Sequence, residues 1–200
     1  MEKLESITIE KNEKYLRQIS KKVKFDDPEI HNNIVTLQNY CMENEVMAMA
    51  AVQLGIPKRI VYLKNTNLEV LNKRLTEEGK EETKNYNEAK VLINPEIISK
   101  KGVTTFWEAC ASCSWNEDGV KKSYNGKVRR PYQIVVRYYD IEGNQHEDTF
   151  EGFPSTVLCH EIDHLDGVLH IDIADEVIIG TREDRIKLRK KEDYTIISKD

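Results

Sequence analysis

Residues 154–170 read Pro-Ser-Thr-Val-Leu-Cys-His-Glu-Ile-Asp-His-Leu-Asp-Gly-Val-Leu-His, and this stretch decides the fold. The spacing after Pro154 predicts a helix through Asp166 with Gly167 as a natural cap. His160 and His164 stand four residues apart and so share one helical face. Both imidazoles can reach a single ion while Glu161 stays beside it as a general acid/base. The bland alternative is a helix whose histidines merely satisfy core or surface hydrogen bonds.

Length and composition narrow what such a helix can belong to. The chain has 200 residues, a hydrophobic share of 39%, a charged share of 32% and a formal net charge of −5. These values suit one soluble domain over residues 1–200, with no apolar run long enough to span a bilayer. The start, Met1 to Lys14, has neither a secretory apolar core nor a transit-peptide pattern, which makes the cytoplasm the expected location. Negative net charge argues against a specific nucleic-acid binder. Cys41, Cys110, Cys113 and Cys159 are too scattered for a disulfide framework, so they are read as free thiols or metal ligands.

Elsewhere the pattern is mixed. Asp26-Asp27-Pro28 followed by Ile30, Ile34, Leu37 and Cys41 predicts a helix with proline at its first position. Val46 to Gln53 is a small apolar segment ending in one amide before the turn at Gly55-Ile56-Pro57. Arg59 to Lys64 and Val91 to Ile98 read as strands. Between them, residues 65–90 form a polar insert whose charges, among them Lys73, Arg74, Glu77, Glu78, Glu81 and Glu82, are expected to face water. Lys127 to Asp140 and Gln145 to Glu151 predict a hairpin through Gly143-Asn144. Thr181 and Asp184 have capping-box spacing at the head of a last helix ending near Glu192. This order indicates an α+β fold of antiparallel or mixed sheets around the central metal-binding helix.

The motif continues through Gly167 to His170, so that read alone it matches the metzincin protease pattern with His170 as the third ligand. That class needs a methionine downstream, whereas the methionines here are Met1, Met42, Met47 and Met49. His170 is therefore read as a strand or loop residue, and a third ligand must come from a cysteine or carboxylate elsewhere, leaving one position open for water. A closed site of Cys110, Cys113, His160 and His164 is a further possibility, with no use for Glu161.

Three ordered segments now bear on that choice: Val46 to Gln53, Trp107-Glu108-Ala109-Cys110-Ala111-Ser112, and His160-Glu161-Ile162-Asp163-His164. Together the chain resembles the peptide deformylases, which carry G-x-G-x-A-A-x-Q, E-G-C-L-S and Q-H-E-x-D-H in that order. Leu16-Arg17, Ile93-Asn94-Pro95-Glu96, Val128 and Arg130 are lesser landmarks of the same resemblance, which extends over nearly the whole chain. It implies Cys110, His160 and His164 as metal ligands, Glu161 as the catalytic acid/base, and Gln53 with the backbone N–H of Ala111 as oxyanion donors. It implies a substrate cleft along Val46, Met47 and Ala48, with Phe153 and Val157 on the motif helix. Glu108 is expected to be buried near the metal loop with Arg130 as its partner.

The implied reaction removes the formyl group of N-formylmethionine from newly made polypeptides, releasing formate. The implied cofactor is one divalent ion, Fe²⁺ in cells, with Zn²⁺, Ni²⁺ or Co²⁺ in a purified sample. A monomer is expected, with N-formylmethionyl peptides or nascent chains as partners. The basic residues of the last helix suggest either a solvated face or ribosome docking. Val46, Ala48 and Ala109 replace glycines and Ala111 replaces leucine, all close to the substrate path. These departures keep open an altered substrate, or a binding or regulatory role.

Overall fold

The computed structural model describes residues 4–44, 46–64, 76 and 89–200. The charged positions named in the polar insert lie outside the described residues. Among the described residues the chain forms two antiparallel sheets and four α-helices of eight residues or more. The first sheet has the order β1 (Ala48–Ala50), β2 (Ile60–Leu63), β3 (Lys90–Lys101), β6 (Gln133–Tyr139) and β7 (Gln145–Glu151). The second runs β8 (Glu176–Gly180), β5 (Val120–Arg130), β4 (Val103–Glu117) and β9 (Thr195–Ser198). No helix among the described residues is long and apolar enough to cross a membrane.

Two short breaks hand the chain from one sheet to the other. Gly102, at φ +66°, separates β3 from β4, and a Cβ there would stand 2.5 Å from the Ser198 carbonyl oxygen. Only glycine fits both the angle and the approach. Pro131 is the second break. The run Lys127 to Asp140, expected as one strand, ends its first part at Arg130 in the second sheet and resumes at Gln133 in the first. Proline has no N–H for a ladder, so the apolar run divides there. The hairpin itself forms as expected between β6 and β7, with Asn144 N–H donating to Asp140 Oδ1 at 2.8 Å.

Helix α1 (Ile9–Leu16) was not anticipated. It is kinked at Asn12, whose side-chain oxygen accepts from the Tyr15 N–H at 3.1 Å, so the segment is two short turns with little periodic signal. Helix α2 (Ile30–Glu43) starts two residues later than the proline suggests. Asp27 Oδ1 accepts from the Glu29 N–H at 3.0 Å, forming a local turn that delays the first helical residue. Its Ile34, Leu37 and Cys41 are buried against Met49, Ile60 and Ile93.

Helix α3 (Phe153–Leu165) carries the motif. Leu158, Ile162 and Leu165 recur at helical spacing on one face and pack on Val61, Leu92 and Ile134 of the first sheet. Burying each such side chain contributes about 1.5–3 kcal/mol. Gly167 closes the helix at φ +74°, where a Cβ would meet the Arg17 carbonyl oxygen at 2.3 Å. Helix α4 (Arg182–Lys191) opens on the expected capping box: Thr181 Oγ1 accepts from Asp184 N–H at 3.3 Å, and Asp184 Oδ2 accepts from Thr181 N–H at 3.1 Å.

Candidate active site

The face of α3 turned away from the first sheet presents His160 and His164 to β4. There Cys110 Sγ lies 3.1 Å from His164 Nε2, and donor atoms of Cys110, His160 and His164 all fall within 4.8 Å of one another. Among the described residues this is the one such cluster, and Cys113 is not a member of it. Strand β4 can bring Cys110 to this point because its pairing with β5 shifts register between Ala109 and Ser114. Such a bulge re-aims side chains that a regular strand would send to alternate faces. Ser114 Oγ donates to the Ala111 carbonyl at 2.7 Å within it.

The surroundings orient the donors. His160 Nδ1 lies 2.8 Å from Glu108 Oε2, which fixes the proton on that nitrogen and leaves Nε2 for an ion. Glu108 in turn accepts from Arg130 Nε at 2.8 Å and from Nη2 at 3.0 Å, and Arg130 also pairs with Asp163. Burial alone would raise the Glu108 carboxyl, but the bonds from His160 and Arg130 outweigh it and hold the pKa at about 2. The Cys110 thiol is held well below its ordinary value, first by a hydrogen bond from Cys113 and, against burial, by the charge of His164 and by hydrogen bonds from His160 and His164. A thiolate, two imidazole nitrogens and a carboxylate behind one of them form a donor set suited to a divalent ion such as Zn²⁺ or Fe²⁺.

Glu161 sits beside the cluster, buried, with Oε2 lacking a hydrogen-bond partner. Burial raises its pKa above the usual carboxylate value, against the pull of the nearby imidazoles. Gln53 reaches the same place from the 3₁₀ turn Ala51–Leu54 that follows β1. Its Oε1 accepts from the Ala50 N–H at 3.1 Å, while Nε2 donates to Ser112 Oγ at 3.1 Å and points at Cys110 Sγ at 3.4 Å. One amide hydrogen is thus held firmly and the other by a weak sulfur contact.

A cleft of about 300 Å³ opens onto Cys110, His160 and Glu161. Val46, Met47 and Ala48 line one side, Phe153 and Val157 contribute from α3, and Gln53, Glu108 and Ala111 also reach it. A second depression of about 340 Å³ beside Phe25 and Tyr139 contains none of these residues. Arg130 stands behind Glu108 and does not line the cleft. His170 lies in a 3₁₀ turn rather than a strand, with Nε2 against the Tyr124 carbonyl at 3.2 Å. It is absent from the donor cluster, which removes the structural basis for a metzincin-type third ligand. Cys159 points into the core against the first sheet.

Several cleft residues were not foreseen: Phe106, Thr156, Arg185 and Arg189. Thr156 could have been found, because it stands four residues before His160 and hence on the same side of the helix. The arginines come from α4, and nothing local to them signals the cleft.

A model of the polypeptide deformylase family matches residues 6–177 of the chain. A peptide deformylase of Rhizorhabdus wittichii is 33% identical over 158 residues, covering 78% of this chain and 79% of that one. A probable peptide deformylase of Synechococcus phage S-SSM7 superimposes with a TM-score of 0.64 at 29% identity, covering 85% of this chain and 99% of the other. The Met-Ala-Ser-bound enzyme of Acinetobacter baumannii shares the fold, with a TM-score of 0.65 at 23% identity, covering 84% and 96% of the two chains.

Proposed function

The chain belongs to the polypeptide deformylase family, and from that premise we propose that Cys110, His160 and His164 hold its divalent ion and that Glu161 and Gln53 work the reaction beside it. The protein is a metal-dependent hydrolase that removes the N-formyl group from nascent peptides. The observation that carries the residue assignment is the joining of the donor cluster, Glu161 and Gln53 at the inner end of one cleft.

When bound, a divalent ion supplies Lewis-acid activation of water and of the formyl carbonyl. The other tasks fall to the chain. Glu161 accepts the proton of the attacking water at its unpartnered Oε2 and passes it to the amine that leaves. A carboxylate with a raised pKa suits both halves of that transfer. Gln53 turns its weakly held N–H from Cys110 Sγ toward the developing oxyanion, with its carbonyl still anchored on Ala50 and its other N–H on Ser112. The backbone N–H of Ala111, in the bulge next to Cys110, is the second donor. Glu108 holds His160, and Arg130 holds Glu108, so the ligand ring is fixed before substrate arrives.

The formylmethionyl peptide lies as an added strand along Val46, Met47 and Ala48, with its side chain between Phe153 and Val157. The Cβ atoms of Val46 and Ala48 narrow this path, and Ala111 leaves room opposite. Fe²⁺ is the ion in cells, with Zn²⁺, Ni²⁺ or Co²⁺ able to occupy the same donors. The chain acts as a single-domain monomer in the cytoplasm, where the basic surface of α4 can meet the ribosome.

Formate release from formyl-Met-Ala-Ser, with iron protein prepared anaerobically, tests the reading. Turnover that disappears in Glu161→Ala with the metal still bound is the expected result. Metal-loaded protein with no turnover above that variant would overturn it.

A further inference from the structure

Tyr194 has no part in the chemistry above and does not line the cleft, yet its ring packs on two residues that do. Its centre stands 5.9 Å from that of Phe106 and 6.1 Å from that of Phe153, and those two stand 5.3 Å apart, each pair meeting edge to face. Aromatic rings favour separations and angles of this kind. Phe106 belongs to β4 and Phe153 opens α3, so Tyr194 ties together two walls of the cleft that come from different elements.

The path of the chain after α4 puts the ring there. Thr195 pairs across from Thr105 in the ladder of β4 and β9, which leaves Tyr194 beside Phe106 at the end of that ladder. A Cβ on Gly152, the residue before α3, would stand 4.0 Å from the Tyr194 hydroxyl oxygen, so the ring also lies over the start of the motif helix. The hydroxyl is buried and, short of a full hydrogen bond, has the hydroxyls of Thr104 and Thr156 beside it. The ring rather than the hydroxyl therefore holds the place. The match to the family model ends at residue 177, before this segment begins.

We propose that Tyr194 is a positioning residue that limits the size of the side chain accepted after the formyl group, by keeping the rings of Phe106 and Phe153 from retreating. The proposal rests on the deformylase reading above, in which that side chain lies between Phe153 and Val157. An aromatic ring backed by a third ring cannot move aside for a larger guest without overpacking or an unfavourable rotamer. Without the backing, a void opens behind Phe106 and Phe153, and the cleft can deepen into it.

The test measures kcat/KM of the metal-loaded enzyme for formyl-Met-Ala-Ser and formyl-Trp-Ala-Ser. The unaltered protein should favour the methionine peptide by about tenfold or more. Tyr194→Ala should reduce that ratio by about fivefold, chiefly through a lower KM for the tryptophan peptide. Tyr194→Leu, which keeps apolar bulk without the ring, should fall between, and Tyr194→Phe should retain the original ratio. A purely structural role would lower turnover of both peptides in parallel, because the ratio does not depend on the fraction of protein folded. An unaltered enzyme that does not discriminate, a ratio unchanged in Tyr194→Ala, or a ratio changed equally in Tyr194→Phe overturns the proposal while leaving deformylation standing. Ala and Leu variants too unstable to turn over either peptide would make Tyr194 a structural residue only, and overturn it equally. Absence of turnover on both peptides by the unaltered enzyme overturns this proposal and the deformylase reading together.

Discussion

The two faces of α3 are built from the same thirteen residues and obey opposite rules. Toward the first sheet, Leu158, Ile162 and Leu165 are held by contact area alone. Toward β4, Glu161 and His164 are buried and His160 half-buried, polar groups whose neighbours must satisfy them one by one. An apolar face degrades in proportion to the atoms removed, because its energy is spread over many weak contacts. A face of buried charge fails when one partner is lost, because the remaining group is stranded away from water. One helix thus packs on the first sheet with one side and, on the proposed reading, serves the chemistry with the other.

Replacements on each side put this contrast to the test. Glu161→Ala should give the largest effect, lowering kcat by about 10²–10⁴-fold. It should leave metal content intact and thermal stability unchanged or slightly higher, since an unpartnered buried oxygen is removed. A parallel loss of stability would mean that this face also bears structural load. Arg130→Met comes next. It leaves Glu108 buried with half its partners and should cost about 3–5 kcal/mol in chemical denaturation, along with weaker metal retention. Little change in either quantity would show that Glu108 is not held as a charge.

On the apolar face, Leu158→Ala should cost about 2–5 kcal/mol through the cavity it leaves. Deformylation per folded molecule should stay close to that of the unaltered protein; a fall in kcat matching Glu161→Ala would dissolve the distinction between the faces. The smallest effect belongs outside α3. Thr181→Ala removes the cap of α4 and should cost about 1 kcal/mol, read from the denaturation midpoint.

What could be read from the sequence follows the same division. The motif helix, its glycine cap and the Thr181–Asp184 box were legible because each is specified within a few consecutive residues. Strand β4, which carries Cys110, was not assigned. Phe106, Trp107 and Glu108 are buried in succession, as are Ser112, Cys113 and Ser114, so the two-residue alternation that marks a strand is interrupted twice. The division at Pro131 was missed because the residues on both sides have strand composition, and only tertiary pairing shows that they enter different sheets.

The catalytic end was more legible than the cleft mouth. Cys110, Glu108 and Gln53 are tied to the helix by chemistry that demands particular side chains, and the family resemblance supplied the order of the segments. Arg185 and Arg189 arrive through the path of the chain after β8, a strand that pairs with β5 and aims α4 across β4 and β5. No spacing within α4 itself distinguishes an arginine in a cleft from one in water.

The identity of the three donors can be read from cobalt-substituted protein. A near-ultraviolet thiolate-to-cobalt charge-transfer band should be present in the unaltered protein, disappear in Cys110→Ala, and persist in both Cys113→Ala and His170→Ala. Persistence in Cys110→Ala, or loss of the band in folded Cys113→Ala or His170→Ala protein, would contradict the account.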